Sequence, residues 1–272
     1  MIRRLVGQSK APAGIVLRGA REVAGLREAG RIVAKVHEAM RRAVRPGMST
    51  AELDAIAEDI IRSHGAVPTF LGYHGFPASI CTSINDEIVH GIPSPERILQ
   101  EGDIISIDVG ATYKGWVGDS AWTYPVGSIS EEAQALLDAT EGALWAGIRQ
   151  ARAGNRLGDI SAAVQAYAES RGFAIIREYS GHGVGHQMHE PPQILNYGQP
   201  GTGLRLRPGM VFALEPMVAA GHWMTKVDDD GWTVRTQDGS LSAHFEHTLA
   251  VTSDDPMIMT TLQAHGASFE EK

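Results

Sequence analysis

The sequence predicts an α+β fold made of two related halves, each a pair of helices followed by antiparallel strands. Three observations predict it. Two stretches of helical apolar spacing alternate with two strand-rich stretches. A shift of 107 residues sets much of the first half on the second. Each strand-rich stretch also carries an apolar run closed by an acid, Asp108 in one and Glu215 in the other. At 272 residues and 43% apolar, the chain can bury one large domain or two tightly joined halves. We expect an N-terminal arm over residues 1–20 and a single domain over 21–272, with pseudo-repeats at about 21–125 and 131–251.

Residues 21–43 put Val23, Leu26, Ile32, Val33, Val36 and Met40 at helical spacing, and Pro46 with Gly47 stops that helix. Ser49 or Thr50 can cap a second helix, with Leu53, Ile56, Ile60 and Ile61 inward and Gly65 at its end. The plan recurs between 131 and 173. A helix runs through Leu136, Leu137, Leu144 and Ile148, breaks at Gly154, and a second spans Ile160 to Tyr167 and ends at Gly172. The 107-residue shift sets Arg45 on Arg152, Gly47 on Gly154, Leu53 on Ile160, Ser63 on Ser170 and Gly65 on Gly172. It also sets Gly102 on Gly209 and Asp108 on Glu215. An offset of 99 sets VHGIP (89–93) on MHEPP (188–192), so His90 meets His189. Three matches in chain order point to a duplicated unit. A duplication leaves a pseudo-twofold axis, with a site where equivalent residues face each other.

Composition excludes several classes. The net charge of −8 gives no support to nucleic-acid binding, which shows as a basic surplus. One cysteine rules out an internal disulfide framework and fits a reducing compartment. Arg3 and Arg4 precede no apolar run long enough for a signal segment, and no stretch approaches a membrane span. We expect a globular, cytoplasmic protein. Arg3, Arg4 and Lys10 could touch ribosomal RNA, and the plainer reading is a solvated tail.

IISIDV (104–109) reads as a strand buried on both faces, and WVGDSAWTY (116–124) as its hairpin partner, turning near Tyr113–Gly115. A turn centred between Tyr113 and Lys114 sets Asp108 and Asp119 opposite or diagonal on one face. Two facing carboxylates on an apolar strand are destabilising unless a positive charge lies between them. The second half supplies matching groups: Glu215 in VFALEP, Glu246 in HFEHTLAV as its neighbour, and His182 in the Gly-rich SGHGVGHQMH. That segment lacks the GK[ST] ending of a phosphate loop, and Pro191–Pro192 block a following Rossmann-type helix, which excludes nucleotide binding there. Four carboxylates and one imidazole balance two divalent cations. Two such ions about 3.5–4 Å apart share a water and bring its pKa toward neutrality. The residues alone therefore point to a dinuclear metallohydrolase using Mn, Fe, Co or Zn.

The segments LGYHGFP–ASICTSINDEIVHGIP (71–93), IDVG…GDSAWT (107–123), SGHGVGHQMHEPPQ (180–193), GMVFALEPM (209–217) and GWTVRTQDGSLSAHFEHT (231–248) closely resemble the type I methionine aminopeptidase family. The resemblance runs from about residue 20 to about 262. It implies the pita-bread fold of two pseudo-symmetric αβ halves, a monomer, and removal of the initiator methionine from nascent proteins when the next residue is small. It implies that Asp108 ligates one metal, His182 and Glu215 the other, and that Asp119 and Glu246 bridge both. It places His90 near the new amine and His189 at the carbonyl, with Glu215 as proton shuttle and a bridging hydroxide as nucleophile. It lines the methionine pocket with Tyr73, Phe76, Cys81, Met188 and Trp232. Phe76 stands where Tyr is frequent and Met188 where Phe is frequent, and both stay apolar.

Seven of the eight remaining histidines, His37, His64, His186, His222, His244, His247 and His265, read as core or surface residues. Cys81 lies in an apolar strand pattern with no base beside it, which argues against a nucleophile. An X-Pro-cleaving relative would share the ligands, but GYHGFP, GWTVRT and the short chain argue against it. A catalytically dead binding protein would lose ligand positions, and none is lost.

Overall fold

The computed structural model describes residues 14–263; Arg3, Arg4, Lys10 and His265 lie outside them. Helix α1 (Ala20–Ala43) buries Leu26, Ile32, Val33, Val36 and Met40 along one stripe. Ser49, not Thr50, caps α2 (Thr50–Ser63). Its hydroxyl accepts from the Glu52 N–H at 3.2 Å while the Glu52 carboxylate accepts the Ser49 N–H at 2.8 Å. Leu53 and Ile61 are buried, and Ile56 and Ile60 lie half-buried at the margin of the same cluster. Helices α3 (Glu131–Gln150) and α4 (Leu157–Glu169) repeat this pair, with Ser130 capping α3 and the Asp159 carboxylate accepting the Arg156 N–H.

Strands β1 (Val67–Pro68), β2 (Ile80–Ile84), β3 (Glu87–Val89), β4 (Ile104–Tyr113) and β5 (Trp116–Pro125) belong to the first half. The second holds β6 (Ala174–Ile175), β7 (Gly181–Gly183), β8 (Glu190–Ile194), β9 (Val211–Leu214), β10 (Met217–Ala219), β11 (Thr225–Val227), β12 (Val234–Thr236), β13 (Ser242–His244), β14 (His247–Ala250) and β15 (Met257–Ile258). Strand β4 pairs with β5 along one edge and with β1 and β2 along the other. Its alternation sends Ile105, Ile107, Val109 and Ala111 into the α1–α2 core, while Ile104 joins the core of the second half. That second core packs Leu136, Leu144 and Ile148 of α3 and Ile160 and Val164 of α4 against Phe212, Leu214, Val218 and Leu249.

The β4–β5 turn departs from its expected centre. It is the two-residue turn Lys114–Gly115, with both φ positive at 49° and 81°, a geometry whose twist matches that of the strands it joins. Asp108 therefore faces Ala121 and Asp119 faces Gly110, which makes the two acids diagonal neighbours on one face.

The halves meet along a seam between β5 and β13–β14. The Glu246 N–H donates to the Ala121 carbonyl at 2.8 Å, the Thr248 hydroxyl donates to the Asp119 carbonyl at 2.7 Å, and the Thr123 hydroxyl donates to the His244 carbonyl at 2.9 Å. Residues 119, 121 and 123 thus face 248, 246 and 244. Moving 125 positions along the chain exchanges the partners, so the expected pseudo-twofold axis passes through this seam. Beside it, Gly118 lets α1 lie directly on β5, since a Cβ there would stand 2.6 Å from the Gly30 nitrogen.

Candidate active site

Because the hairpin register turns Asp108 and Asp119 to one face and the seam brings the two halves together, the carboxylates converge. Asp108 comes from β4, Asp119 from β5, His182 from β7, Glu215 from the end of β9, and Glu246 from between β13 and β14; all line one cavity of about 280 Å³. His247 pairs with Leu214, so Glu246 and Glu215 are the next opposed pair of that ladder. One ligand atom each from Asp119, His182 and Glu246 lie within 4.8 Å of one another. His182 Nε2 is 3.4 Å from both Asp119 Oδ2 and Glu215 Oε1. Its Nδ1 meets the Gly183 carbonyl at 3.0 Å, which fixes the ring and turns Nε2 toward the acids, as a carbonyl on the far nitrogen does for metal-binding imidazoles.

The residues present fit divalent cations. Asp108 Oδ1, Asp119 Oδ1, Glu246 Oε1 and His244 Nε2 are buried and have no hydrogen-bond partner among the described residues. Buried polar atoms are otherwise almost always paired. Burial, then repulsion from Asp119 and Glu215, holds Asp108 well above the usual carboxylate range. Burial and its acidic neighbours do the same to Glu246. Burial pushes Glu215 up to about 8, against the pull of His182. Burial opposes charge on His182, but the hydrogen bond it donates to the Asp119 carboxylate and the charge of Glu215 raise it to about 9. Cations between these groups would relieve every one of these strains.

A pH dependence follows for metal-stripped protein. Glu215 and His182 keep in the folded state, at about 8 and 9, protons that the unfolded chain releases near 4.3 and 6.5. Stability must fall wherever the folded state binds more protons and pH rises. His37, His189, His244 and His247, held at about 4, 4, 3 and 3 chiefly by burial, act in the opposite sense, but mainly below pH 6.5. Raising the pH from 6.5 to 8 is therefore expected to cost about 2 kcal/mol for each extra bound proton. Thermal unfolding at the two pH values checks it. A midpoint that holds or rises refutes the expectation, and added cation should flatten the fall.

The other wall is apolar. Tyr73, Phe76, Cys81, Met188 and Trp232 line the same cavity, with Phe76 edge-on to Trp232 at 5.2 Å between ring centroids. Cys81 faces Asp108 in the β2–β4 ladder, and burial, then the charge of Asp108, pushes its thiol up, so it serves as a neutral wall. His90 closes β3 in the left-handed region, φ 62°, edge-on to Tyr179 and Trp232. His189 lies 4.2 Å from His182 between centroids, and its Nδ1 is 2.8 Å from the Tyr73 hydroxyl. Burial, then the His182 charge, lowers it to about 4, which leaves it neutral at pH 7.

The cavity thus gathers every metal, catalytic and pocket residue expected from the sequence, and His244 joins them. His244 lines it, with Nε2 3.8 Å from Glu215 Oε2 and from Glu246 Oε2. Burial lowers it to about 3, so it meets these acids as an uncharged ring. The signal lay in the duplication. Met217 pairs with His244 in the second half as Gly110 pairs with Asp119 in the first. Carrying the repeat through the hairpin register finds His244 at the position equivalent to Asp119, and Ala121 at that of Glu246.

A pita-bread fold with four acids, two buried and two half-buried, and an imidazole facing one another across its seam defines a metallohydrolase. A family model for metallopeptidase family M24 matches residues 24–253. Methionine aminopeptidase 1 of Bacillus subtilis is 54% identical over 246 residues, covering 90% of this chain and 99% of its own. The crystal structure of methionine aminopeptidase from Thermotoga maritima superposes with a TM-score of 0.90 at 43% identity, over 91% of this chain and 99% of that one. The Xaa-Pro dipeptidase from Bacillus anthracis, at 24% identity and a TM-score of 0.72, shares the fold alone, and the match spans 62% of its length. The chain belongs to metallopeptidase family M24, and within it to the methionine aminopeptidases. Among the described residues no helix is long and apolar enough to cross a membrane.

Proposed function

We propose that this chain is a metallo-exopeptidase that removes the N-terminal methionine of nascent polypeptides whose second residue is small, and so works in the cytoplasm. One observation carries the reading: five metal-type side chains and an apolar wall of Tyr73, Phe76, Cys81, Met188 and Trp232 share one cavity. Asp108 would hold one divalent cation, His182 and Glu215 a second, and Asp119 and Glu246 both. The oxygen-rich set with one nitrogen suits Mn, Fe, Co or Zn. When bound, such a pair supplies Lewis acidity, a binding point for the free α-amine and an acidified water, chemistry that favours chain ends over internal peptide bonds.

The protein's own groups do the rest. The apolar wall takes the methionine side chain, with a gain of about 0.3–1.5 kcal/mol from sulfur on aromatic rings. His90 and His189, related by the pseudo-twofold, flank the scissile bond. Tyr73 meets His189 at Nδ1, which leaves Nε2 to address the carbonyl. Glu215 takes the proton of the attacking water and passes it to the leaving amine.

Hydrolysis of Met-Ala-Ser and Met-Lys-Ser by metal-stripped protein, titrated with Mn, Co, Fe or Zn, tests the reading. Methionine should leave Met-Ala-Ser alone, and only with metal. Protein that binds two ions yet releases no methionine with any metal would overturn it.

A further inference from the structure

The turn between β7 and β8 carries Met188 and His189, and one carboxylate sets much of its geometry. Glu190 Oε1 accepts from the backbone N–H of His186 at 2.9 Å and of Gln187 at 3.1 Å. Glu190 Oε2 accepts from Arg18 Nη2 at 2.5 Å. Arg18 lies in the segment before α1, and its backbone N–H donates to the Gly209 carbonyl at 2.7 Å. Its guanidinium sits 5.4 Å from the Trp116 ring centroid, and Trp116 stacks on His186 at 3.7 Å. The turn is thus clamped between the chain's leading segment and the tip of the β4–β5 hairpin.

The contact is built, not incidental. The side chains of Arg18 and Glu190 are only 6% and 16% exposed. A pair so withdrawn from water strongly destabilises its surroundings when one partner is removed. Two glycines make room for it. A Cβ on Gly185 would stand 2.0 Å from Arg18 Nη2 and 2.5 Å from Glu190 Oε1, and one on Gly209 would stand 2.7 Å from the Arg18 carbonyl.

We propose that Arg18 is a positioning residue: through Glu190 it holds the 186–190 turn, and so sets His189 and Met188 against the substrate. The proposal rests on the reading of the active site given above. The end of the N-terminal arm becomes scaffold of the site, acting without touching substrate or metal. Displacing a catalytic group by about 1 Å can lower a rate 10²-fold.

The test compares full-length wild type with Arg18→Gln, Arg18→Ala, Glu190→Gln and the double variant Arg18→Gln/Glu190→Gln. Two readouts are taken: amide hydrogen exchange across 185–190 and steady-state kinetics on Met-Ala-Ser at saturating metal. Arg18→Gln should speed exchange in that turn at least about 10-fold, while β4 and β9 stay protected. It should lower kcat about 10–100-fold per folded molecule at unchanged metal affinity. The double variant should be no worse than Arg18→Gln, because both changes break one latch. Added ethylguanidinium should restore much of the kcat of Arg18→Ala, which a merely structural loss would not allow. Unchanged exchange in the turn, wild-type kcat, or additive losses without rescue would overturn the proposal. If wild type itself releases no methionine, the proposed function falls, and exchange alone still decides whether Arg18 holds the turn. Should Arg18→Gln fail to fold, Glu190→Gln, which keeps side-chain volume, carries the same comparisons.

Discussion

Asp119→Asn is expected to lower kcat on Met-Ala-Ser about 10³-fold or more and, in metal-stripped protein, to raise the thermal midpoint. The two effects have one cause. Asp119 is 1% exposed, and its Oδ1 is buried without a partner among the described residues. Oδ2 stands 3.4 Å from His182 Nε2. A carboxylate so placed is costly unless a cation answers it. Its charge is among the causes that push up Asp108, Glu215 and Glu246, so neutralising it relieves three acids at once and gives up one favourable contact, that with protonated His182. The loss of rate is on the scale of removing an electrostatic element from a preorganised site. Ion titration by calorimetry, kcat at saturating metal and the unfolding midpoint of stripped protein check the three parts. A variant that is active, or less stable when stripped, would show that Asp119 is a structural acid and not a metal ligand. Opposite signs in activity and stability are the signature, because a merely damaged fold would lose both.

Much of this site could be read from residue order because duplication and strand alternation are local properties. Asp108 interrupts a run of β-branched residues, and alternation alone puts it on the face opposite Ile107 and Val109. The turn was harder. Lys114–Gly115 and Tyr113–Lys114 both lie in TYKG, and the choice rests on which pair takes positive φ, a matter of twist rather than composition. His244 reads as core when taken as a lone histidine, and as a site residue only when taken as the repeat of Asp119. Arg18 escaped for a different reason. Its partner lies 172 residues away, and nothing in GIVLRGA distinguishes an arginine bound for a buried carboxylate from one bound for solvent. Periodicity reports which face of an element is buried. It does not report which long-range charge will be enclosed there.

Glu215→Gln is expected to lower kcat about 10²–10⁴-fold at saturating metal, with KM changed far less, because it removes a proton carrier and leaves the pocket wall intact. Glu215 stands between the end of β9 and Pro216, and the Asn196 side-chain amide donates to its carbonyl at 3.0 Å, so its backbone is held. Oε1 faces His182 and Oε2 faces the uncharged His244. Burial brings it to about 8, near the pH at which it would work. A proton carrier is most effective when its pKa lies close to the operating pH, and a bound cation beside it would draw that value down. Glutamine keeps the volume and one ligand oxygen but cannot exchange a proton. Glu215→Asp keeps the carboxylate on a shorter stem and should fall between the two. The pH profile separates the roles. If Glu215 only ligates, excess metal should return Glu215→Gln to within about tenfold of wild type with the profile unmoved. If it carries the proton, excess metal leaves kcat low and the acidic limb of the profile disappears.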